Sequence, residues 1–510
     1  MELELKKTCL DHYETGAETT WTQEETAETI VPDYCPDIAR IITASGCAYL
    51  HSRELRDGKA ELSGTVRLSV LYIPEKEGGI RTLDVNIPFT AESDRGGFGG
   101  CQSLLADTQI EFLETRMLNP RKIFTHCKLV HRAAGYRRSQ MCFCSDVEAN
   151  SGCCVEKRQE EQQAVLLTAI SEKDFTFTEE MVISAGRCGA AELLHSQVTP
   201  AVTESKLVGS KLIFKGVFHV QVLYRGTDGK YAQTVAELPF SQIMESEPVG
   251  EHAAVSLALQ LTGAEIQLTG EAEDRQISVT LYLHASAQLR ESFGLTLLSD
   301  LYSTAWETAY EAAPLSIVAG HSQYFHRQTV REVLEMGAAP EALLALWVQC
   351  GPVSVSREEH SALRTTALVR ALVLDENGSP MLAERRVDVT GQAELPRDRT
   401  ISVRACCPEA PTGTLGDRGV EVRFPVEFAV EATESVKRVC ISAVRLDEDS
   451  PRDMSGAPSL VLRRLGQRES AWELAKSCNS TIADLLAANQ LAEESDIPRD
   501  KLLLIPRKRA

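Results

Sequence analysis

The residues best suited to chemistry lie in the first third of the chain. They are four cysteines and two histidines: Cys142, Cys144, Cys153, Cys154, His126 and His131. Four thiolates could hold a zinc ion. The C-x-C and C-C spacing is not that of a zinc ribbon, however, and the sequence between the pairs is typical of a loop. We therefore expect free cysteines here and assign no metal ligand, with a metal site as the alternative.

Motifs that mark catalytic or nucleotide-binding sites do not occur in the sequence. There is no G-x-x-x-x-G-K-[ST] loop and no H-E-x-x-H or G-x-S-x-G motif. The 11 histidines are spread along the chain without metal-ligand spacing. We expect no catalytic residue, no cofactor and no enzymatic activity.

Composition and charge narrow the possible partners. Of the 510 residues, 43% are hydrophobic and 25% are charged, as in ordinary folded proteins. The net charge of −20 disfavours binding to nucleic acid, because an acidic surface repels phosphates. No secretory leader and no apolar run of membrane-spanning length is present, so we expect a cytoplasmic protein whose 15 cysteines are mostly reduced.

Alternating strand patterns dominate the chain, and one of them is repeated. Lys59–Tyr72 aligns with Lys211–Tyr224 through the first Lys, an internal Gly and the ending Val-Leu-Tyr. After a turn, each run leads to a similar tripeptide, Ile87-Pro88-Phe89 or Leu238-Pro239-Phe240. A fainter third copy covers Leu363–Leu374 and ends at an Asn-Gly turn. The repetition predicts tandem β units, each with its own core.

We predict a multidomain, mainly β fold of tandem β-sandwich or barrel-like repeats, followed by a small α/β module. The predicted domains are residues 1–144, 164–300, 301–446 and 459–510, the third repeat being the weakest. Polar composition predicts solvated linkers over Ser145–Gln163 and Leu446–Pro458. Helices are predicted over Asp300–Ala312 and around Gln328–Cys350.

The last 50 or so residues have a different pattern from the rest. Leu460–Leu465 predicts a short strand, and Ser470 with Glu473 forms a capping box at the start of a helix. Asn479–Thr481 precedes a second apolar helical pattern, and Lys501–Ile505 predicts a closing strand. The expected order is strand, helix, helix, strand.

This segment resembles a LysM module, most clearly from Asn479 to Leu491 and in the closing Leu503–Pro506. It departs from that family at Arg468 and Glu469, where a Gly-Asp pair is usual, and at Asp500, which replaces a glycine. LysM modules usually bind chains of N-acetylglucosamine. The resemblance implies a groove for such a glycan or for a protein partner, formed by Arg468, Glu469, Ser470, Ala471, Trp472, Asn489, Gln490 and Leu491.

Val31–Ile38 is similar to the D-Y-x-P-D-I signature of the SPOCS domain, with Asp33, Tyr34, Pro36 and Asp37 at the signature positions. Tandem SPOCS domains followed by LysM are typical of spore-coat morphogenetic proteins in endospore-forming bacteria. The resemblance implies a scaffold in the mother-cell cytoplasm, at the forespore surface or spore coat. It also implies spore-coat proteins as partners, including the coat basement-layer ATPase.

Three functions remain open at this point. The first is a non-enzymatic scaffold for coat assembly, and the second is a peptidoglycan-binding protein. The third is a wall hydrolase targeted by LysM, which would require a catalytic site that the sequence does not reveal.

Overall fold

The computed structural model describes residues 3–76, 78–149, 153–270, 275–337, 339–357, 361–392, 399–452, 456 and 458–507. This part of the chain is mainly antiparallel β structure, and its α-helices all lie after residue 470. The mainly β fold predicted from the alternating patterns is thereby confirmed. The four domain boundaries stay predictions.

The strands follow one order three times: a long strand, a group of shorter strands and a long returning strand. The first unit contains β1 (Leu3–Ile30), β2 (Ile38–Arg56), β3 (Lys59–Pro74), β4 (Arg81–Glu92), β5 (Ser103–Asn119) and β6 (Lys122–Ala149). The second contains β7 (Val155–Val182), β8 (Ala190–Val208), β9 (Lys211–Gly226), β10 (Tyr231–Glu245), β11 (Ala254–Thr269) and β12 (Gln276–Ser303). The third contains β13 (Trp306–Glu335), β14 (Ala342–Cys350), β15 (Ser354–Arg357), β16 (Ser361–Leu374), β17 (Pro380–Gln392), β18 (Arg399–Cys406), β19 (Thr412–Gly416) and β20 (Gly419–Pro451).

Pairing between strands repeats in the same way. The long strands of each unit pair with each other, β1 with β6, β7 with β12 and β13 with β20. The middle strands form separate sheets, β2-β3-β4 in the first unit and β8-β9-β10 in the second, while β16 of the third unit pairs with β14, β15 and β17. The first two units also share a six-stranded sheet in the order β11-β12-β7-β1-β6-β5.

One backbone hydrogen bond marks the equivalent position in all three units. The residue after the first long strand donates its N–H to the carbonyl of the residue before the last long strand. The pairs are Val31 with Arg121 at 2.9 Å, Ile183 with Arg275 at 2.9 Å and Met336 with Arg418 at 2.7 Å. The three units therefore share a detail of loop closure as well as an order of strands.

The units also pack together around one apolar cluster. Leu71 and Leu223 are the central residues of the repeated Val-Leu-Tyr, and both are buried in this cluster. Leu372 on β16 and Trp347 on β14 join them from the third unit. Burial of this apolar surface between the units stabilises their arrangement.

The glycine of the repeated pattern faces the phenylalanine of the neighbouring strand. Gly64 pairs with Phe89 on β4, and Gly216 pairs with Phe240 on β10. A Cβ atom at Gly64 would lie 2.2 Å from a backbone oxygen and 2.7 Å from the Phe89 ring, so only glycine fits. In the third unit, Thr365 pairs with Val389 instead. This smaller partner leaves room for a side chain, which explains why the third copy is faint in the sequence.

The two helices predicted inside the repeats are wrong. Asp300–Ala312 contributes to the end of β12 and the start of β13, and Gln328–Cys350 contributes to β13 and β14. Pairing with β20 along nearly the whole of β13 supplies the backbone hydrogen bonds. Tertiary pairing with a distant strand overrides the local preference of this alanine-rich sequence.

The linker predictions also need correction. β7 begins at Val155, so much of the polar run Ser145–Gln163 is strand, although its side chains are mostly exposed or half-buried. β20 continues to Pro451 through the first half of the predicted linker Leu446–Pro458, of which residues 453–455 and 457 lie outside the described residues. A polar strand can pair through its backbone while its side chains face water, and composition alone does not reveal this.

The C-terminal segment has the predicted order of elements: β21 (Leu460–Arg463), α1 (Ala471–Ser477), α2 (Ile482–Asn489), a 3-10 turn at Glu494–Asp496 and β22 (Leu503–Pro506). β21 and β22 pair antiparallel. Leu465, Leu474, Leu485 and Ile505 form the core between the helices and this small sheet. We call residues 458–507 the C-terminal module and the three units together the body.

Candidate functional site

The loop between β1 and β2, which carries the D-Y-x-P-D-I motif, is held by one arginine. Nη2 of Arg121 donates hydrogen bonds to the Val31 carbonyl at 2.8 Å and to Asp33 Oδ1 at 2.9 Å. Nη1 donates to the Cys35 carbonyl at 2.8 Å and to Asp37 Oδ1 at 3.1 Å. The two motif aspartates therefore position the loop, and nothing in this geometry requires a catalytic role.

The other two motif residues, Pro36 and Tyr34, have different surroundings. The Tyr72 hydroxyl donates to the Pro36 carbonyl at 3.3 Å. Burial raises the pKa of Tyr72 to about 12, so this hydroxyl remains a donor at neutral pH. Tyr34 is 87% exposed at the tip of the loop. Tyr34 is therefore available to a partner.

The second unit repeats part of this loop geometry. The Tyr224 hydroxyl donates to the Cys188 carbonyl at 3.4 Å, and Thr227 N–H donates to the Gly189 carbonyl at 3.0 Å. Gly189 stands where the first unit has Asp37, so the second loop cannot form the same aspartate–arginine contact. The role of Arg121 was not predicted from the sequence, because the residue lies far from the motif along the chain.

The first side of the predicted module groove is largely occupied by contacts within the module. Glu469 accepts a hydrogen bond from Arg463 at 2.9 Å and from the Gly466 N–H at 3.1 Å. Ser470 is the N-cap of α1 and forms the predicted capping box with Glu473. Arg468 is exposed. These residues shape the loop before α1, and their part in ligand binding stays a prediction.

The second side is formed by residues that join α2 to β22. Asn489 Nδ2 donates to the carbonyls of Leu485 and Leu504, each at 2.7 Å, and its Oδ1 accepts from Leu504 N–H at 2.8 Å. Gln490 ends α2 in the left-handed conformation, with φ of 55°. Leu491 packs against the module core. Asn489 is thus a structural link, a role that its place in the family pattern did not reveal.

An arginine that the sequence did not single out connects the two sides. Arg499 Nη1 donates to the Gly466 carbonyl at 3.0 Å and to the Gln467 carbonyl at 2.7 Å. These carbonyls belong to the loop before α1, whereas Arg499 belongs to the segment before β22. The guanidinium therefore occupies two backbone acceptors of the loop before α1.

Trp472 faces the body. It is 7% exposed, its Nε1 donates to Asp300 Oδ2 at 2.7 Å, and its ring meets the Tyr302 ring edge-on with centroids 5.0 Å apart. Lys476, one helical turn further along α1, donates to Asp300 Oδ1 at 2.5 Å. Ala471 is buried as well. The face of α1 predicted to line a groove thus contacts the end of β12.

Further hydrogen bonds fix the module to the body. The Tyr302 hydroxyl donates to the Ser480 carbonyl at 2.7 Å, and Asn479 Nδ2 donates to the Thr304 carbonyl at 2.9 Å. Burial raises the pKa of Asp300, but the hydrogen bonds from Lys476 and Trp472 outweigh burial and hold the pKa below its usual value. Asp300 is therefore ionised at neutral pH and holds two donors of α1. We call the contacts of Asp300, Tyr302 and Thr304 with the module the docking contact.

The cysteine cluster differs from the prediction of free loop cysteines. Cys142 and Cys144 lie on β6, and Cys142 forms a disulfide with Cys9 on β1. Cys144 and Cys153 are buried free thiols, and Cys154 is exposed. The disulfide joins directly opposed residues of two long strands. Within the described residues, no group of three or more His, Cys, Asp or Glu side chains could hold a metal ion.

No helix in the described part of the chain is long and apolar enough to cross a membrane. Comparison with curated proteins and with solved structures gives no match. Two stretches do match one family, the SipL SPOCS domain, at residues 37–118 and 190–269. The first stretch begins at Asp37 of the motif loop, and both contain the middle sheet and the fifth strand of a unit. Each of the first two units therefore contains one stretch that matches the SPOCS domain.

Proposed function

We propose that this protein is a non-enzymatic scaffold for assembly of the spore coat, acting on the mother-cell side of the forespore surface. Its SPOCS domains support a role in sporulation, the context in which this domain family is known. The C-terminal module, which resembles LysM, would dock a protein partner, with the coat basement-layer ATPase as the expected one.

The observation that carries this proposal is an uncovered leucine face on the module. Residues of β21 and β22 alternate between the core and solvent, as a two-stranded sheet requires. Leu503 and Ile505 point into the module core, whereas Leu462, 60% exposed, and Leu504 face solvent as direct cross-strand neighbours. The leucine face consists of four exposed side chains: Leu460, Leu462, Leu502 and Leu504. Such a cluster marks a surface that a partner covers.

Charge around the leucine face favours an acidic partner. Arg463 is the last residue of β21 and Arg464 follows it, and Lys501 and Arg507 flank β22. The body is strongly acidic, so these basic residues would not repel an acidic segment as the rest of the surface does. We therefore expect the partner to present apolar side chains flanked by aspartate or glutamate.

Peptidoglycan binding is the alternative function, and the contacts in the predicted groove do not favour it. Arg499 occupies loop carbonyls, and Trp472 is engaged by Asp300. A glycan would have to displace both contacts before it reached the backbone. Co-sedimentation of the full chain with purified sacculi tests this alternative, and binding lost in Asn489→Ala with the fold retained would favour it.

Localisation of a fluorescent fusion during sporulation tests the scaffold proposal. We expect the fusion to collect at the forespore surface, and Leu462→Arg to release it into the mother-cell cytoplasm, because a charge is placed within the apolar contact. Leu268→Arg is the matched control, since Leu268 is an exposed leucine on β11 of the body. A wild-type fusion that stays diffuse, or Leu462→Arg behaving like the control, would overturn the proposal.

A further inference from the structure

A cavity of about 690 Å³ lies between the first two units. Its walls come from β2 and β5 of the first unit and from β7, β11 and β12 of the second. The ionisable side chains on these walls are His51, Arg53, Glu172, Asp174, Tyr282 and His284. The volume falls in the range of small-molecule sites. None of these residues takes part in the docking contact or the leucine face.

A histidine in this cavity is held in one orientation by a carboxylate. His284 is 7% exposed, and its Nδ1 lies 2.7 Å from Asp174 Oδ1. Because an ionised carboxylate only accepts hydrogen bonds, Asp174 favours the tautomer with the proton on Nδ1, in which Nε2 is an acceptor. Glu172 Oε1 lies 3.9 Å from Nε2, too far for a direct hydrogen bond. The cavity thus presents two hydrogen-bond acceptors side by side, His284 Nε2 and Glu172 Oε1.

The local charge is negative in spite of one arginine. Arg53 Nη2 donates to Gln260 Oε1 at 2.8 Å, which directs its guanidinium toward the second unit. Burial lowers the pKa of Arg53, while the nearby carboxylates of Glu172, Asp174 and Asp107 act to raise it. Three carboxylates near one guanidinium leave a net negative charge among these four groups. A cationic ligand is therefore favoured over an anion.

We propose that this cavity binds a primary ammonium group between His284 Nε2 and Glu172. An ammonium nitrogen has three donors on one atom, so a single nitrogen can donate to both acceptors across their 3.9 Å separation. A metal ion fits less well, because the described residues offer no group of three metal-ligating side chains. Phe175 and Tyr282 also line the cavity and provide aromatic surface for the ligand's alkyl chain.

The pair of His284 and Asp174 is not a hydrolytic centre. No hydroxyl or thiol among the described residues donates to His284 Nε2, so the arrangement lacks the nucleophile of a catalytic triad. Asp174 is itself largely exposed, which weakens its electrostatic effect on the ring. The arrangement is suited to holding a donor, and this site is independent of the proposed docking of the C-terminal module.

Two sources of the ammonium are distinguished by calorimetric titration of the full chain. 1,4-Diaminobutane represents a free diamine, and Nα-acetyl-lysine N-methylamide represents a lysine within a polypeptide. The same lysine derivative acetylated at Nε is the matched negative ligand, because it lacks the charge. We expect one of the two amines to bind and the Nε-acetylated compound to show no heat of binding. Failure of both amines to bind at millimolar concentration, or equal binding of the acetylated compound, would overturn the proposal.

Substitutions then place the bound amine in the cavity. We expect Glu172→Gln to weaken binding about tenfold or more, because a charge-assisted hydrogen bond is lost. Glu180→Gln removes the same charge from an exposed position on the same strand and should bind as the wild type does. Both sites are exposed, so neither variant should impair folding. Equal weakening in the two variants would show a general charge effect and refute the site.

Discussion

Replacing Asp300 by alanine should release the C-terminal module from the body. This carboxylate accepts hydrogen bonds from Trp472 Nε1 at 2.7 Å and from Lys476 Nζ at 2.5 Å. In the Asp300→Ala variant both donors remain at a largely buried contact without their acceptor. The apolar contact between the Trp472 and Tyr302 rings would persist, so we expect weakened docking and not unfolding of the module.

The size of the effect follows from the two hydrogen bonds. A hydrogen bond to a charged group contributes about 1.5–3 kcal/mol. The side chains of Lys476 and Asp300 are 31% and 21% exposed, so solvent screening places their ion pair toward the lower end. A combined loss of about 3 kcal/mol raises the equilibrium constant for undocking about a hundredfold.

Hydrogen exchange measured by mass spectrometry reports this change directly. Amides of α1 and of the Asn479–Thr481 turn should exchange faster in Asp300→Ala, while those of the β3 core should not change. Asp11→Ala is the control, since Asp11 is an exposed carboxylate whose hydrogen bond from Gln140 does not involve the module. Unchanged protection of α1, or an equal loss in the control, would refute the role of Asp300.

The pH dependence of α1 protection tests the docking contact in a second way. The docked pKa of Asp300 lies below its ordinary value of 3.8, so the ionised carboxylate is the form that docking favours. Its contribution is complete above pH 3.8 and disappears as the pH falls through the lower docked value. Protection of α1 should therefore fall only in strong acid, and a loss of protection near pH 6 would contradict this account.

Three further predictions concern the body. Arg121→Ala should lower the free energy of unfolding in urea by about 3 kcal/mol, since four acceptors of the motif loop lose their donor. A change below about 0.5 kcal/mol would contradict the role of Arg121 in holding this loop. Burial lowers the pKa of His195 to about 4 from 6.5, so stability should fall by about 3 kcal/mol as the pH drops from 6.5 to 4, and His195→Gln should flatten that slope in urea titrations. Gly64→Thr should destabilise the first unit, and adding Phe89→Val should restore part of the loss, which a double-mutant cycle measures; strictly additive losses would refute the pairing.

Local signals in the sequence predicted the repeated sheets well. The internal glycine and the Pro-Phe pair report a contact between neighbouring strands of one sheet. The length and the pairing of the long strands were missed because their partners lie far away along the chain, as Cys9 and Cys142 do. Separation along the chain also hid the contact of Arg121 with the motif loop and of Asp300 with Trp472. Such contacts depend on the packing of whole units, which periodicity in the sequence does not encode.

The third unit keeps contacts that the other two units make, although part of their sequence pattern has changed. It keeps the loop-closing hydrogen bond from Met336 to Arg418, and Leu372 reaches the shared apolar cluster. Yet Thr365 and Val389 replace the glycine and phenylalanine of the other units, and the SPOCS family match covers only the first two. A larger residue on one strand with a smaller one on its neighbour fills similar space, because packing depends on the summed volume of facing side chains. The contacts between units can therefore persist where the pattern within a hairpin has changed.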